Sequence, residues 1–220
     1  AVWLTAARWA TKAVTGLAQL TSCTFQVKAR NGDNVETAFG ATASETTLSA
    51  AAAVLSATSI ATFGAVCTNT TAGPNTFTVS GTNLSTANVT VGPLTGYTFS
   101  TDDITYTASL SIVQGGGTFS QLVYVKFTPT LVQSYDGNVA IGGGGASSIN
   151  AAVTGSGINT TPTVTAGSAT GVTISAATVP GTITVTGCTA ISAYGVEYST
   201  TASFANGTGT PVAGSNLSGG

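Results

Sequence analysis

The residue pattern predicts an all-β protein built from antiparallel sandwiches. Three observations carry this reading. Short runs alternate apolar and polar side chains with period two, so each strand has one face for a core and one for water. Clusters of Gly, Asn, Asp and Pro punctuate the runs, as tight turns require. The only helix candidate is Ala50 to Leu55, whose alanines favour helix but which lacks a clear cap. It reads as part of a linker or as an edge strand.

Taken in order, TFQVKAR (24–30) is the first strand, and Asn31-Gly32-Asp33 is the turn after it. TFTVSG (76–81) is a half-buried strand by the same alternation, and Gly115-Gly116-Gly117 marks a later turn. LVYVKFTP (122–129) and SYDGNVAI (134–141) are consecutive strands, with a turn expected at Asp136-Gly137-Asn138. Gly142 to Gly145 follow as a hairpin loop. GTITVTG (181–187) is the last clear strand. The Thr-Thr-Pro junction at 160–162 reads as a boundary, because Pro162 lacks an amide donor and restricts its predecessor. Three segments result: 1–47, 48–158 and 159–220.

Composition narrows the function. Only 5% of the 220 residues are charged, against roughly 25% in ordinary soluble domains. The net charge is −2, and five Lys and Arg cannot build the basic patch that nucleic acid demands. Mean hydropathy is positive, yet no unbroken apolar run of about 18 residues exists, so no membrane span is expected. A surface of Thr, Ser, Asn and Gly fits a secreted protein. The first residues, AVWLTAARWA, lack the regions of a signal peptide.

Reactive chemistry is scarce. Without histidine, neither the usual Ser/His/Asp triad nor a Cys/His pair can form. Cys23, Cys67 and Cys188 make no metal motif. They read as buried or half-buried thiols, with a Cys23–Cys67 bridge as the alternative, and the odd count leaves at least one thiol unpaired. Asp102 and Asp103 sit in a polar turn and are the calcium candidates. Calcium takes six to eight oxygens, so a solvated turn is the simpler reading of that pair. The seven acidic residues sit in turns of different segments, which argues against a glycosidase pair. Gly142 to Gly145 is no phosphate cradle, since no GK[ST] follows. Trp3 and Trp9, and Tyr194 and Tyr198, have even spacing and share a strand face. Core packing is the plain reading; a sugar platform is the other.

The central segment resembles the immunoglobulin-like sandwich of the Hydin/major-sperm-protein type, common in secreted proteins of Bacteroidetes. The residues that carry the likeness are FGAVCTNTTAGPNTFTVSGTNLSTANVTV (63–91), GYTFS (96–100), LVYVKFTP (122–129), SYDGNVAI (134–141) and AVTGSG (152–157). They lie within the segment 48–158, in which Pro129 ends one strand and Tyr135 begins the next. The flanks resemble parts of fibronectin type III domains. VTGLAQLTSCTFQVKARNGDNVETAF (14–39) is similar to a second half, with Cys23 where a Tyr is usual. TPTVTAGSATGVTISAATVPGTITVTGCTAISAYGVEYSTTASF (161–204) is similar to a first half. The resemblance implies tandem Ig-like and fibronectin type III-like β-sandwiches, the terminal ones incomplete. It supplies no catalytic residue and no cofactor.

Incomplete sandwiches would leave Phe25, Val27, Ile183, Val185 and Val196 facing water. Large exposed apolar patches mark partners. The expectation is that another copy or an adjacent repeat completes them head-to-tail, with surface glycans as a further class of partner; the plain alternative packs both flanks on the central sandwich. The function expected is a non-enzymatic, extracellular or cell-surface structural segment, such as a shaft, adhesin stalk or filament. The alternative is an accessory, carbohydrate-binding region of a large secreted hydrolase.

Overall fold

A computed structural model describes residues 13–215. The chain divides between Ala52 and Ala53 into two compact units. No helix occurs among the described residues. It follows that none is long and apolar enough to cross a membrane.

The first unit holds β1 (Ser22–Phe25) and β2 (Ala43–Thr46), paired antiparallel from Ser22↔Thr46 to Phe25↔Ala43. Hydroxyls and amides lace its surface: Thr24 and Ser44 bond across the ladder at 3.0 Å, and Gln26 Nε2 donates to Thr42 at 3.1 Å. The strand expected over 24–30 stops at Phe25. Beyond it only scattered bonds persist, such as Gly40 N–H to the Val27 carbonyl at 2.8 Å. The Asn31 side-chain oxygen accepts from the amides of Asp33 and Val35 at 3.1 and 2.9 Å, which makes the expected turn by a local side-chain route. Lys28 pairs with Glu36 and also lies 5.3 Å from the Phe39 ring centroid.

The second unit contains the remaining strands. They are β3 (Val54–Ala57), β4 (Ala65–Cys67), β5 (Ala72–Leu84), β6 (Val89–Val91), β7 (Tyr97–Ser100), β8 (Leu110–Ile112), β9 (Gly117–Phe127), β10 (Gly137–Gly143), β11 (Ala146–Val153), β12 (Ser156–Ile158), β13 (Thr163–Ala166), β14 (Gly181–Val185), β15 (Gly195–Tyr198) and β16 (Thr210–Ala213). Two four-stranded sheets dominate, ordered β3-β5-β9-β7 and β11-β10-β6-β8. A parallel pair, β4 with β12, lies beside them, and the ribbons β13–β14 and β15–β16 follow.

Alternation builds the core. On β5, Phe77 and Val79 are buried while Thr76 is exposed; on β9, Val123, Val125 and Phe127 are buried while Leu122 is exposed. Their long antiparallel ladder includes Phe77↔Val123 and Thr78↔Leu122. From the opposite sheet come Val89, Val91, Val139, Ile141 and Val153, and both sets join one apolar cluster. Val79, Val89, Val91, Val123, Val125, Val139 and Ile141 are all fully buried. β-branched side chains suit such a surface, because they lose little freedom on a pleated sheet. The segment Ala50 to Leu55 forms no helix: its end enters β3, an edge strand.

Two turns differ in detail from expectation. Gly142 and Gly143 belong to β10, so the loop after it is only Gly144-Gly145. Both have positive φ, 61° and 76°, which is the backbone a two-residue hairpin matched to strand twist requires. The turn expected at Asp136-Gly137-Asn138 is not there. Gly137 and Asn138 open β10, pairing with Val153 and Ala152. The reversal lies at Leu131-Val132-Gln133, upstream of Tyr135. The dipeptide Asp-Gly favours a turn locally, but buried Tyr135 anchors the corner earlier and leaves Gly137 to begin the ladder.

Candidate functional site

The best-built feature of the second unit is an aromatic corner at one end of the sandwich. Phe127 is fully buried at its centre. Tyr97 stacks on it at 4.8 Å between ring centroids, and Tyr135 and Phe63 meet it at 5.4 and 5.6 Å. Offset and edge-on rings at these distances add attraction beyond burial. Polar tips are satisfied. The Tyr97 hydroxyl donates to the Tyr135 carbonyl at 3.2 Å. The Tyr135 hydroxyl accepts from the backbone amides of Thr130 and Leu131 at 3.1 and 2.9 Å. Asp136 accepts from the Gly155 amide at 2.9 Å, tying the corner to the chain that leaves β11.

Burial and hydrogen bonding set the electrostatics at the corner. Burial, helped by the nearby Asp136 carboxylate, pushes the Tyr97 phenol up to about 12. The bond with the Thr130 hydroxyl, with those from the Leu131 and Thr130 amides, moves Tyr135 the other way, below its ordinary value.

Asp102 and Asp103 sit in the turn between β7 and β8, and the two carboxylates have separate tasks. One oxygen of Asp102 takes the Ser100 hydroxyl at 2.7 Å and the amides of Ile104 and Thr105, each at 2.9 Å. These donors, the Ser100 hydroxyl first, hold the Asp102 carboxyl down at about 2. Asp103 accepts a short bond from the Tyr106 hydroxyl. The Tyr106 phenol is pushed well above its ordinary range, by desolvation first and then by that bond to Asp103. Lys126 Nζ lies 4.0 Å from the Tyr106 ring centroid, a cation over an aromatic face. The turn is a hydrogen-bonded plug. Among the described residues no three His, Cys, Asp or Glu gather as a metal site would need.

The cysteines pair otherwise than the sequence suggested. Cys67 bonds Cys188, with Cα atoms 5.4 Å apart, and Cys23 is the free, half-buried thiol. Neither a set of separate thiols nor a Cys23–Cys67 bridge forms. The reason is long-range pairing. β4 lies parallel to β12, which sets Cys67 opposite Ile158. The chain leaving β12 meets the turn after β14, where the Cys188 amide donates to the Thr160 carbonyl at 3.2 Å. Two contacts far apart in sequence therefore bring the sulfurs together, within the usual Cα span for a bridge.

Neither protein-family models nor curated proteins match this chain.

The expected assembly residues fall on small ribbons. Phe25 is half-buried on β1, and Val27, just past it, is 55% exposed. Ile183 is half-buried on β14, opposite Val164, while Val185 is 53% exposed. Val196 on β15 faces Val212 on β16, and both are exposed. Tyr194 and Tyr198 flank Val196, and both are exposed as well. An open groove on the β15–β16 ribbon is lined by Tyr194, Val196, Phe204 and Val212 among others. Trp3 and Trp9 lie outside the described residues. Sequence reasoning passed over the Tyr135 corner. Its signal was the short spacing from Pro129 to Tyr135 between two strand patterns, which leaves a loop small enough for a phenol to bridge.

Proposed function

We propose that this chain is a non-enzymatic structural segment of a secreted or cell-surface protein, acting as a shaft, stalk or filament element. The observation that carries the reading is a contrast within the second unit. The two four-stranded sheets close over a dry core, whereas the β13–β14 and β15–β16 ribbons present Val164, Val185, Val196 and Val212 to solvent. Isolated two-stranded ribbons are marginal in water. Covering those faces by another copy or an adjacent repeat, head-to-tail, gives them the apolar partner they lack. A repeated head-to-tail contact that does not close gives an open fibre.

Other features support the same reading. The sheet order β3-β5-β9-β7 against β11-β10-β6-β8 matches the two-sheet plan of immunoglobulin-like sandwiches, and the Tyr135 hydroxyl bonds upstream backbone as the tyrosine corner of those domains does. β8 departs from the simplest plan, since it follows β7 in the chain yet pairs in the opposite sheet. The Cys67–Cys188 bond favours an oxidising compartment, hence export. Sparse charge, 5% of residues, allows copies to lie side by side without repulsion.

Sedimentation over a concentration series tests the proposal, with electron microscopy of the native material. Association that Val185→Asp and Val196→Asp abolish is the expected result. A monomer at every concentration whose β13 to β16 amides are strongly protected would overturn it. A second reading, an accessory carbohydrate-binding region of a hydrolase, draws on exposed Tyr194 and Tyr198. It predicts glycan binding that Tyr198→Ala removes.

A further inference from the structure

We propose that the Cys67–Cys188 bond takes most of the central sandwich out of the line of tension, so that a pulled chain transmits force through sulfur and only the leading stretch, with Leu55 and Ile60 of the core, is loaded directly. The inference rests on the shaft reading for its biological use and on chain connectivity for its physics. Tension entering the second unit near Ala53 passes along β3 and β4 to Cys67. It then has two routes to the end of the chain. One follows the backbone through β5 to β14. The other crosses a single disulfide to Cys188. The covalent crossing is far shorter and far stiffer, so it carries the load.

Everything between the two cysteines lies in a closed loop, with a sequence separation of 121. That loop contains both long strands, β5 and β9, three of the four corner rings (Tyr97, Phe127 and Tyr135, with Phe63 outside it), the Gly144-Gly145 hairpin and the β13–β14 ribbon. The pull reaches them only through the bonds that tie the leading stretch to the loop, chiefly β3 to β5 and β4 to β12, while the β5–β9 ladder stays behind the crosslink. What remains extensible in this unit is short: the stretch holding β3 and β4, and the stretch after Cys188 that holds β15 and β16. Pulling the first straight yields roughly 5 nm and the second roughly 10 nm, at about 3.6 Å per residue. The hidden loop would yield about 40 nm on the same scale. The bond thus caps extension and keeps the buried valines buried while the ends are drawn apart.

Partial yielding is built into the arrangement. β3 sits at a sheet edge and pairs only with β5 in its sheet. It can peel without opening the ladder between β5 and β9, whose residues lie behind the crosslink. The device also depends on redox state. Dithiothreitol returns both cysteines to thiols while its own two thiols close into a cyclic disulfide, and the loop then rejoins the load path.

Single-molecule stretching of the full chain, held by its two ends, tests this. Under non-reducing conditions the second unit should show only the short releases. After dithiothreitol, or with Cys188→Ser, the fully stretched length should grow by about 40 nm. A Cys23→Ser chain should behave like the parent. The fully stretched length does not depend on how stable a variant is, so a poorly folded Cys188→Ser still reports. A release of about 40 nm in the oxidised chain, or an unchanged length on reduction, overturns the proposal. Failure of the protein to form fibres would sink the shaft reading alone and leave this result standing.

Discussion

Replacing Phe127 with alanine should cost the central sandwich about 4 kcal/mol. The magnitude follows from its surroundings. Phe127 is fully buried and touches three other rings, those of Tyr97, Tyr135 and Phe63. Truncating a buried phenylalanine typically removes about 3–5 kcal/mol, the larger values where the site cannot collapse. Collapse is hindered here because backbone lines the ring. A Cβ placed on Gly155 would stand 2.9 Å from the ring, and one on Gly96 would stand 3.3 Å from it. Phe77 is the control, also nearly fully buried on the same sheet but outside the stacked group. Phe77→Ala should cost about 1 kcal/mol less, the worth of the ring geometry that Phe127 adds. Hydrogen exchange of the Val139 and Ile141 amides, in the facing sheet, reads global opening of the sandwich without relying on a two-state scan of the whole chain. Phe127→Leu, which keeps most of the volume, supplies a milder point should the alanine variant be too unstable to handle. A Phe127→Ala cost under about 2 kcal/mol, or one no larger than that of Phe77→Ala, would refute the idea that the corner is the keystone of this end.

Further outcomes follow from the same geometry. Gly157→Ala should destabilise by about 3 kcal/mol, at the upper end of overpacking costs, since its Cβ would meet the Leu131 carbonyl at 2.0 Å; a thermal scan against the parent checks this. The Asp102 carboxyl is held at about 2, below its value of 3.8 in an unfolded chain, so its contribution to stability is present above about pH 4 and is lost as pH falls through 2. NMR titration of the Ile104 and Thr105 amides should therefore show a midpoint near 2, and a midpoint near 3.8 would disprove the bonding described. Reducing the disulfide should lower stability by about 4–5 kcal/mol on the chain-entropy view, with the loop of 121 residues near the high end, measurable as a fall in urea midpoint.

Much of this architecture is legible in the sequence, because strand alternation is a local signal. Phe77, Val79, Val123, Val125 and Phe127 could be assigned inward by parity alone, and all are buried. Gly142 to Gly145 likewise announced a hairpin, though the loop is half as long. What escaped was long-range. Cys67 meets Cys188 only because β4 pairs with β12 and Cys188 then folds back on Thr160, two contacts that no spacing encodes. The Asp136-Gly137 turn failed for a related reason: local preference favoured a reversal, and a phenol anchored to Thr130 and Leu131 moved it upstream. At Asp102 the opposite happened. A polar turn was legible there, and the structure adds which donors meet the carboxylate.

The plug formed by Asp102 and Asp103 has one more effect. After it, the chain folds back so that Thr107 exchanges two backbone bonds with Phe99, at 2.8 and 3.0 Å, along the outer side of β7. That flank of the sheet is thereby occupied, and a stray strand from a neighbour finds no free row of amides there. Crowded molecules with little charge to keep them apart risk zippering along any bare margin. Closing this one removes it as a place for such pairing.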